Sequence, residues 1–129
     1  MWELKFDPSK PKLRKILKEH EELALRYFWD EKAEEGGSKD VWPNVNERFE
    51  EGKSISRATI INFLQAMSER GVLNSRMESG KGGYHGIYSQ NMDEKEFQKY
   101  VLRTIITSMY EDFPESTREV LRELRALAS

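Results

Sequence analysis

The sequence contains no cysteine. Disulfides, thiolate nucleophiles and metal–thiolate centres are therefore excluded, and the absence fits a reducing cytosol. Only two histidines occur, His20 and His85, 65 positions apart. Neither a metal site nor histidine-based catalysis is expected from them. No stretch approaches the roughly eighteen consecutive apolar residues of a membrane-spanning helix. The opening MWELKFDPSK also lacks an apolar run behind a basic start, so the expectation is a cytoplasmic protein without membrane association. A large excess of one charge is missing too: 21 Lys and Arg oppose 23 Asp and Glu, for a net charge of −2.

That near-neutral total hides a local imbalance. From Lys53 to Gln90 the basic side chains Lys53, Arg57, Arg70, Arg76 and Lys81 face only Glu69 and Glu78. Attraction to phosphate follows the local field more than the total charge, so this segment qualifies as a binding face within a mildly acidic chain. Six Phe, five Tyr and three Trp, with 37% apolar residues overall, support a packed core under a surface rich in ions. A length of 129 residues suits one domain, or a small domain with an appendage.

Periodicity organises the chain. Leu13, Ile16, Leu17, His20, Ala24, Tyr27 and Phe28 recur at steps of three and four, which predicts a first helix, with room for a break near His20 and with Asp7 and Pro8 at its cap and first turn. Gly36 and Gly37 are expected to stop it near Glu35. Val41, Val45 and Phe49 predict a second helix, capped by Asp40 so that Pro43 falls in its first turn. Ser54 or Ser56 opens a third, whose apolar side is Ile60, Phe63, Leu64 and Met67, while Arg57, Ala58, Thr59, Asn62, Gln65 and Ala66 form a small, polar side. After Gly71 the pattern becomes strand-like, VLNSRMES and YHGIYSQ bracketing GKGG as a hairpin connection. Asp93 is the expected cap of a long helix with the stripe Phe97, Val101, Ile105 and Met109, widened by Tyr100, Ile106 and Tyr110. A last helix follows Pro114, with Ser116 and Glu119 in capping-box spacing and Val120, Leu121, Leu124, Leu127 and Ala128 on its apolar face.

Three helices followed by a two-stranded hairpin are the order of a winged helix-turn-helix, so the expected fold class is mainly α with a small β-hairpin. It divides into an N-terminal extension (1–19), a winged DNA-binding domain (20–91) and a helical dimerisation region (92–129). A helix entering the major groove needs small or hydrogen-bonding side chains outward and an apolar back. Arg57, Ala58, Thr59 and Asn62 supply the first requirement, with Asn62 suited to adenine edges, and Ser56 at the helix start is a candidate contact to the adjoining phosphates. Lys53, Arg76, Lys81 and His85 are the candidate backbone or flanking contacts, and the bare amides of Gly80, Gly82 and Gly83 suit phosphate. GKGG lacks the spacing and the following helix of a nucleotide-binding loop, and no cofactor is expected.

Residues 22 to 97 also resemble the penicillinase-repressor family of winged helix-turn-helix regulators. Ser56, the pair Thr59 and Ile60, Leu64, the run Arg70-Gly71-Val72-Leu73 and Tyr88 stand in that family's order, with Leu25 to Asp30 similar to its first helix. The resemblance implies a prokaryotic homodimeric repressor on a palindromic operator, base-reading positions at Ala58, Thr59 and Asn62, and dimer contacts after the wing. The run RTIITSMYEDFPEST lacks the family's asparagine-phenylalanine cleavage pair, and Ala58 stands where a polar or basic residue is usual. The expected dimer interface comprises Phe97, Tyr100, Val101, Ile105, Met109, Leu121 and Leu124.

Two alternatives use the same elements. A small apolar effector would sit among Tyr27, Trp29, Trp42, Tyr100 and Tyr110. A protein-adaptor role would instead call for acidic residues on the recognition face, and residues 56 to 66 contain none. No catalytic constellation is visible, and the expectation is that the protein is not an enzyme.

Overall fold

The computed structural model describes residues 2–30 and 35–128. It divides into two units, Met1–Asp93 and Glu94–Ser129. The first contains helices α1 (Glu19–Trp29), α2 (Ser38–Arg48) and α3 (Arg57–Glu69) and strands β1 (Leu73–Gly80) and β2 (Gly83–Gln90). The second contains α4 (Glu94–Asp112) and α5 (Pro114–Ala128). The chain is mainly helical with one antiparallel hairpin, as its periodicities require.

The stripe beginning at Leu13 is not one helix. Lys12 takes a positive φ of 50° and opens a single 3-10 turn, Lys12–Lys15, after which Lys18 is extended. The Glu21 carboxylate then accepts from the Lys18 backbone N–H at 2.7 Å, so α1 starts there. Leu13 and Leu17 nevertheless remain buried, because the turn returns both to the side that faces the core. Asp7 caps no helix. Its carboxylate accepts from the Ser9 hydroxyl at 2.6 Å and the Ser9 N–H at 2.9 Å, and those bonds hold its pKa below the ordinary carboxylate value.

α1 runs to Trp29, and the expected terminus near Glu35 follows residues 31–34, which lie outside the described set. Gly36 and Gly37 are not helix stops. Gly36 forms a bridge with Tyr88, N–H to carbonyl in both directions at 2.8 and 2.9 Å, and so adds a third, one-residue strand to the free edge of β2. Gly37 is the cap of α2, its N–H bound to the Asp40 carboxylate at 3.0 Å. Asp40 therefore acts from inside the first turn, and Pro43 sits in the helix interior beyond the first turn, where it removes one backbone donor.

α3 starts as the capping chemistry requires, with the Ser56 hydroxyl accepting from the Thr59 N–H at 3.2 Å. Its back carries Ile60, Phe63, Leu64 and Met67, all buried with Ala24, Leu25 and Phe28 of α1, Val41 and Val45 of α2, and Val72 and Leu73. Each fully buried Leu, Ile or Phe contributes roughly 1.5–3 kcal/mol of transfer free energy, so this shared core fixes α3 against the other two helices. The hairpin closes at Gly80 opposite Gly83, leaving Lys81 and Gly82 as its tip, with Gly82 in the left-handed region at φ 89°. At its base the Val72 carbonyl accepts from Asn91 and Met92, and the Trp29 indole donates to the Met92 carbonyl at 2.9 Å.

In the second unit, Pro114 disfavours helical geometry at Phe113, which ends α4, and itself serves as the first residue of α5. The capping-box pair Ser116 and Glu119 thus lies inside α5 instead of opening it. Arg118 donates to the Tyr110 hydroxyl at 2.9 Å and lies 5.3 Å from its ring centroid, tying the two helices together.

Candidate nucleic-acid interface

Helical geometry determines which α3 side chains point outward. Ala58, Ile61, Asn62 and Gln65 follow one another at i, i+3, i+4 and i+7, on the face opposite Ile60 and Met67. Ala58, Asn62 and Gln65 are exposed, and Ile61 is half-buried. Arg57 precedes this stripe, its guanidinium Nε donating to the Ser38 hydroxyl at 3.2 Å across to the start of α2. Gln65 was expected on the polar side but not as a DNA contact, and Ile61 as neither, although the spacing from Ala58 contains the signal. Thr59 is half-buried, and its hydroxyl is within 2.8 Å of that of Ser56, so both serve the cap first. Ala66, expected on the polar side, is buried.

The N-terminal segment borders this flank of α3. Trp2 meets Phe63 edge-on with ring centroids 6.4 Å apart, and the Arg70 guanidinium lies 4.7 Å above the Trp2 ring. An open groove of about 1190 Å³ is lined by residues between Trp2 and Glu21, by Glu50 and Lys53, and by α3 residues that include Thr59, Asn62, Gln65 and Glu69. The five aromatics proposed for an effector cavity do not line it. Trp29 and Trp42 instead spend their indole N–H groups on the carbonyls of Met92 and Ile55, and Tyr27 packs edge-on against Phe28.

The flanking cations differ in availability. Lys53 pairs with Glu50 at 2.8 Å in full solvent, a bond that raises the lysine pKa and lowers that of the glutamate. Arg76 is held by Glu78 and Glu35, each at 2.7 Å, which raises its pKa. His85 donates from Nε2 to the Lys81 carbonyl at 3.0 Å and so braces the wing tip. Lys81 projects at that tip with no ion-pair partner among the described residues. Exposed pairs of this kind are weak, so phosphate can displace the carboxylates, but Lys81 needs no such exchange.

No family model matches the chain, and no curated protein sequence does. Among solved structures it is similar to a PadR family transcriptional regulator from Eggerthella lenta DSM 2243. That likeness covers 80% of this chain and 84% of the other, with a TM-score of 0.44 and 14% identity. The winged-helix description rests on the chain's own elements and hydrogen bonds, and the penicillinase-repressor resemblance remains confined to the residues quoted for it.

The expected dimer residues fall into two groups. Phe97 and Val101 are buried, and Tyr100 and Ile105 are half-buried. Met109, Leu121 and Leu124 are exposed, together with Leu102, Ile106, Phe113, Val120 and Leu127. On α4 the exposed apolar side chains are Leu102, Ile106, Met109 and Tyr110, of which Leu102 alone lies outside the expected stripe and its widening. No helix among the described residues is long and apolar enough to cross a membrane.

Proposed function

We propose that this chain is a sequence-specific, double-stranded-DNA-binding transcriptional regulator, working as a homodimeric repressor on a palindromic operator. The observation that carries the reading is the Ser56-capped α3, with no acidic residue from Ser56 to Ala66, in one unit with a two-stranded wing. Asn62 and Gln65 carry amides that match the donor and acceptor of an adenine edge, and Ala58 and Ile61 suit thymine methyl groups. Arg57 completes the major-groove set. Lys53 and Lys81 are assigned to phosphates, which position the protein without reading sequence.

Dimerisation is assigned to the exposed apolar side chains of α4 and α5. Leu102, Ile106, Met109 and Tyr110 on α4, Phe113 between the helices, and Leu121, Leu124 and Leu127 on α5 are all exposed, an apolar surface of the kind a partner covers. A second copy offers the same surface by symmetry, and palindromic DNA rewards a two-fold dimer. The test is selection of bound duplexes from a random pool. The expected winner is a palindrome with half-sites roughly 34–36 Å apart, or a multiple of that distance. No enrichment would reject the reading in favour of a protein adaptor.

A further inference from the structure

The two faces of the wing are chemically different, and the register says which belongs with α3. Ser75 pairs with Tyr88, Met77 with Gly86 and Ser79 with Tyr84, so these six side-chain positions share one face. Arg76, Glu78, His85 and Ile87 occupy the other. The Ser68 hydroxyl of α3 donates to the Ser75 hydroxyl at 2.6 Å, which joins the first face to the recognition helix. On that same face Tyr88 is buried, and its ring lies over Gly86, where an added Cβ would come within 2.7 Å of the phenol oxygen. Beyond Gly86 the row continues outward with Met77, 63% exposed, and Tyr84, 76% exposed. The second face is charged and self-satisfied: Glu35 and Glu78 hold Arg76, and His85 is bound to the Lys81 carbonyl.

We infer that the wing meets DNA through Met77 and Tyr84, not through Arg76 and His85, and that these two side chains lie in the minor groove beside the half-site read by α3. The inference rests on the regulator reading above. The face carries no cation, so the Coulombic attraction of a lysine or arginine for phosphate is not what it offers. A thioether and a phenol ring, spaced by glycine and serine, match the apolar deoxyribose walls of the minor groove. Apolar side chains inserted there are an established means of gripping and kinking duplex DNA. The Tyr84 hydroxyl adds a donor for the adenine N3 and thymine O2 acceptors that line the groove floor. Lys81, at the tip, is left for the neighbouring backbone.

The experiment uses the full chain and the duplex obtained by selection, and compares Met77→Ser/Tyr84→Ser with Arg76→Gln/His85→Gln by gel retardation and hydroxyl-radical footprinting. The inner-face double variant should lose roughly tenfold or more in affinity, the size of an aromatic–base contact. It should also lose the minor-groove protection flanking the α3 half-site while keeping its salt dependence, since no phosphate contact is removed. Tyr84→Trp should retain binding and show quenched indole fluorescence on the duplex. The outer-face double variant should keep both affinity and footprint. All four positions are exposed on the wing, and unchanged melting temperatures check that the fold persists. An unaltered footprint in Met77→Ser/Tyr84→Ser overturns the assignment while leaving the regulator reading intact, as does loss confined to the outer-face variant. If the unsubstituted chain retards no duplex, both readings fall together.

Discussion

Gly36→Ala tests how the wing is held to its helices. A Cβ at Gly36 would lie 2.8 Å from Tyr27 Cε1, 2.9 Å from its hydroxyl oxygen and 3.2 Å from Cζ. All three are well inside ordinary contact distance. The ring cannot move freely, because Tyr27 already stands edge-on to Phe28, with centroids 5.1 Å apart and planes at 87°. The alternative is for residue 36 to lift away, which stretches both backbone bonds to Tyr88, now 2.8 and 2.9 Å. Either adjustment is a small-to-large overpacking event costing about 1–3 kcal/mol. For a unit of this size each kcal/mol lowers the melting temperature by roughly 4–8 °C, so a fall on the order of 10 °C is within range. Urea unfolding of the wild type, Gly36→Ala, Tyr27→Ala and the double variant closes a cycle. Removing the ring should relieve the clash, so the double variant should be more stable than the sum of the single losses predicts, by about 0.5–3 kcal/mol. A neutral Gly36→Ala, or an additive cycle, would refute the steric account.

The other expectations concern the recognition helix, the apolar faces and pH. Ser56→Ala should cost about 0.5–2 kcal/mol in urea unfolding, and Ser56→Asp should recover most of it by capping the same N–H groups. Asn62→Ala should lose about 1–3 kcal/mol on the selected duplex and much less on random DNA; equal losses on both would remove its base-reading role. Ile106→Glu with Leu124→Glu should convert a dimer to a monomer in sedimentation at micromolar concentration without lowering helicity, and a dimer that persists would place the interface elsewhere. Burial holds the His20 pKa below its ordinary value, so the unfolded chain binds the proton more readily. Its contribution to stability should be complete above about pH 6.5 and decline as the pH falls below it. Urea midpoints measured on either side of that pH should therefore differ more for the wild type than for His20→Gln.

Local chemistry was legible wherever a short-range rule sufficed. Ser56 declares the start of α3 because its hydroxyl satisfies an amide three residues on, and the GKGG run declares a tight hairpin because left-handed backbone is needed at its tip. Failures came where a side chain or a distant strand outranked the local pattern. Leu13 and Leu17 have helical spacing, yet Lys12 in a left-handed conformation and the Glu21 bond to Lys18 start the helix later. Pro43 suggests a cap at Asp40, but Asp40 reaches back to Gly37 and sets the start there.

The sequence by itself determined the order of elements, the buried back of α3 and the small, polar character of its outward side near the start, because period and capping act within a few residues. The tertiary structure alone decided three other matters. Gly36 became a strand residue because Tyr88, far along the chain, offered it two hydrogen bonds. Arg76 was placed on the wing face opposite the recognition helix and paired with Glu35, since strand register, not composition, assigns a side chain to a face. The apolar positions of α4 were divided between buried Phe97 and Val101 and exposed Leu102, Ile106, Met109 and Tyr110. A helix with apolar residues on more than one side carries no local signal for which of them its own chain will cover.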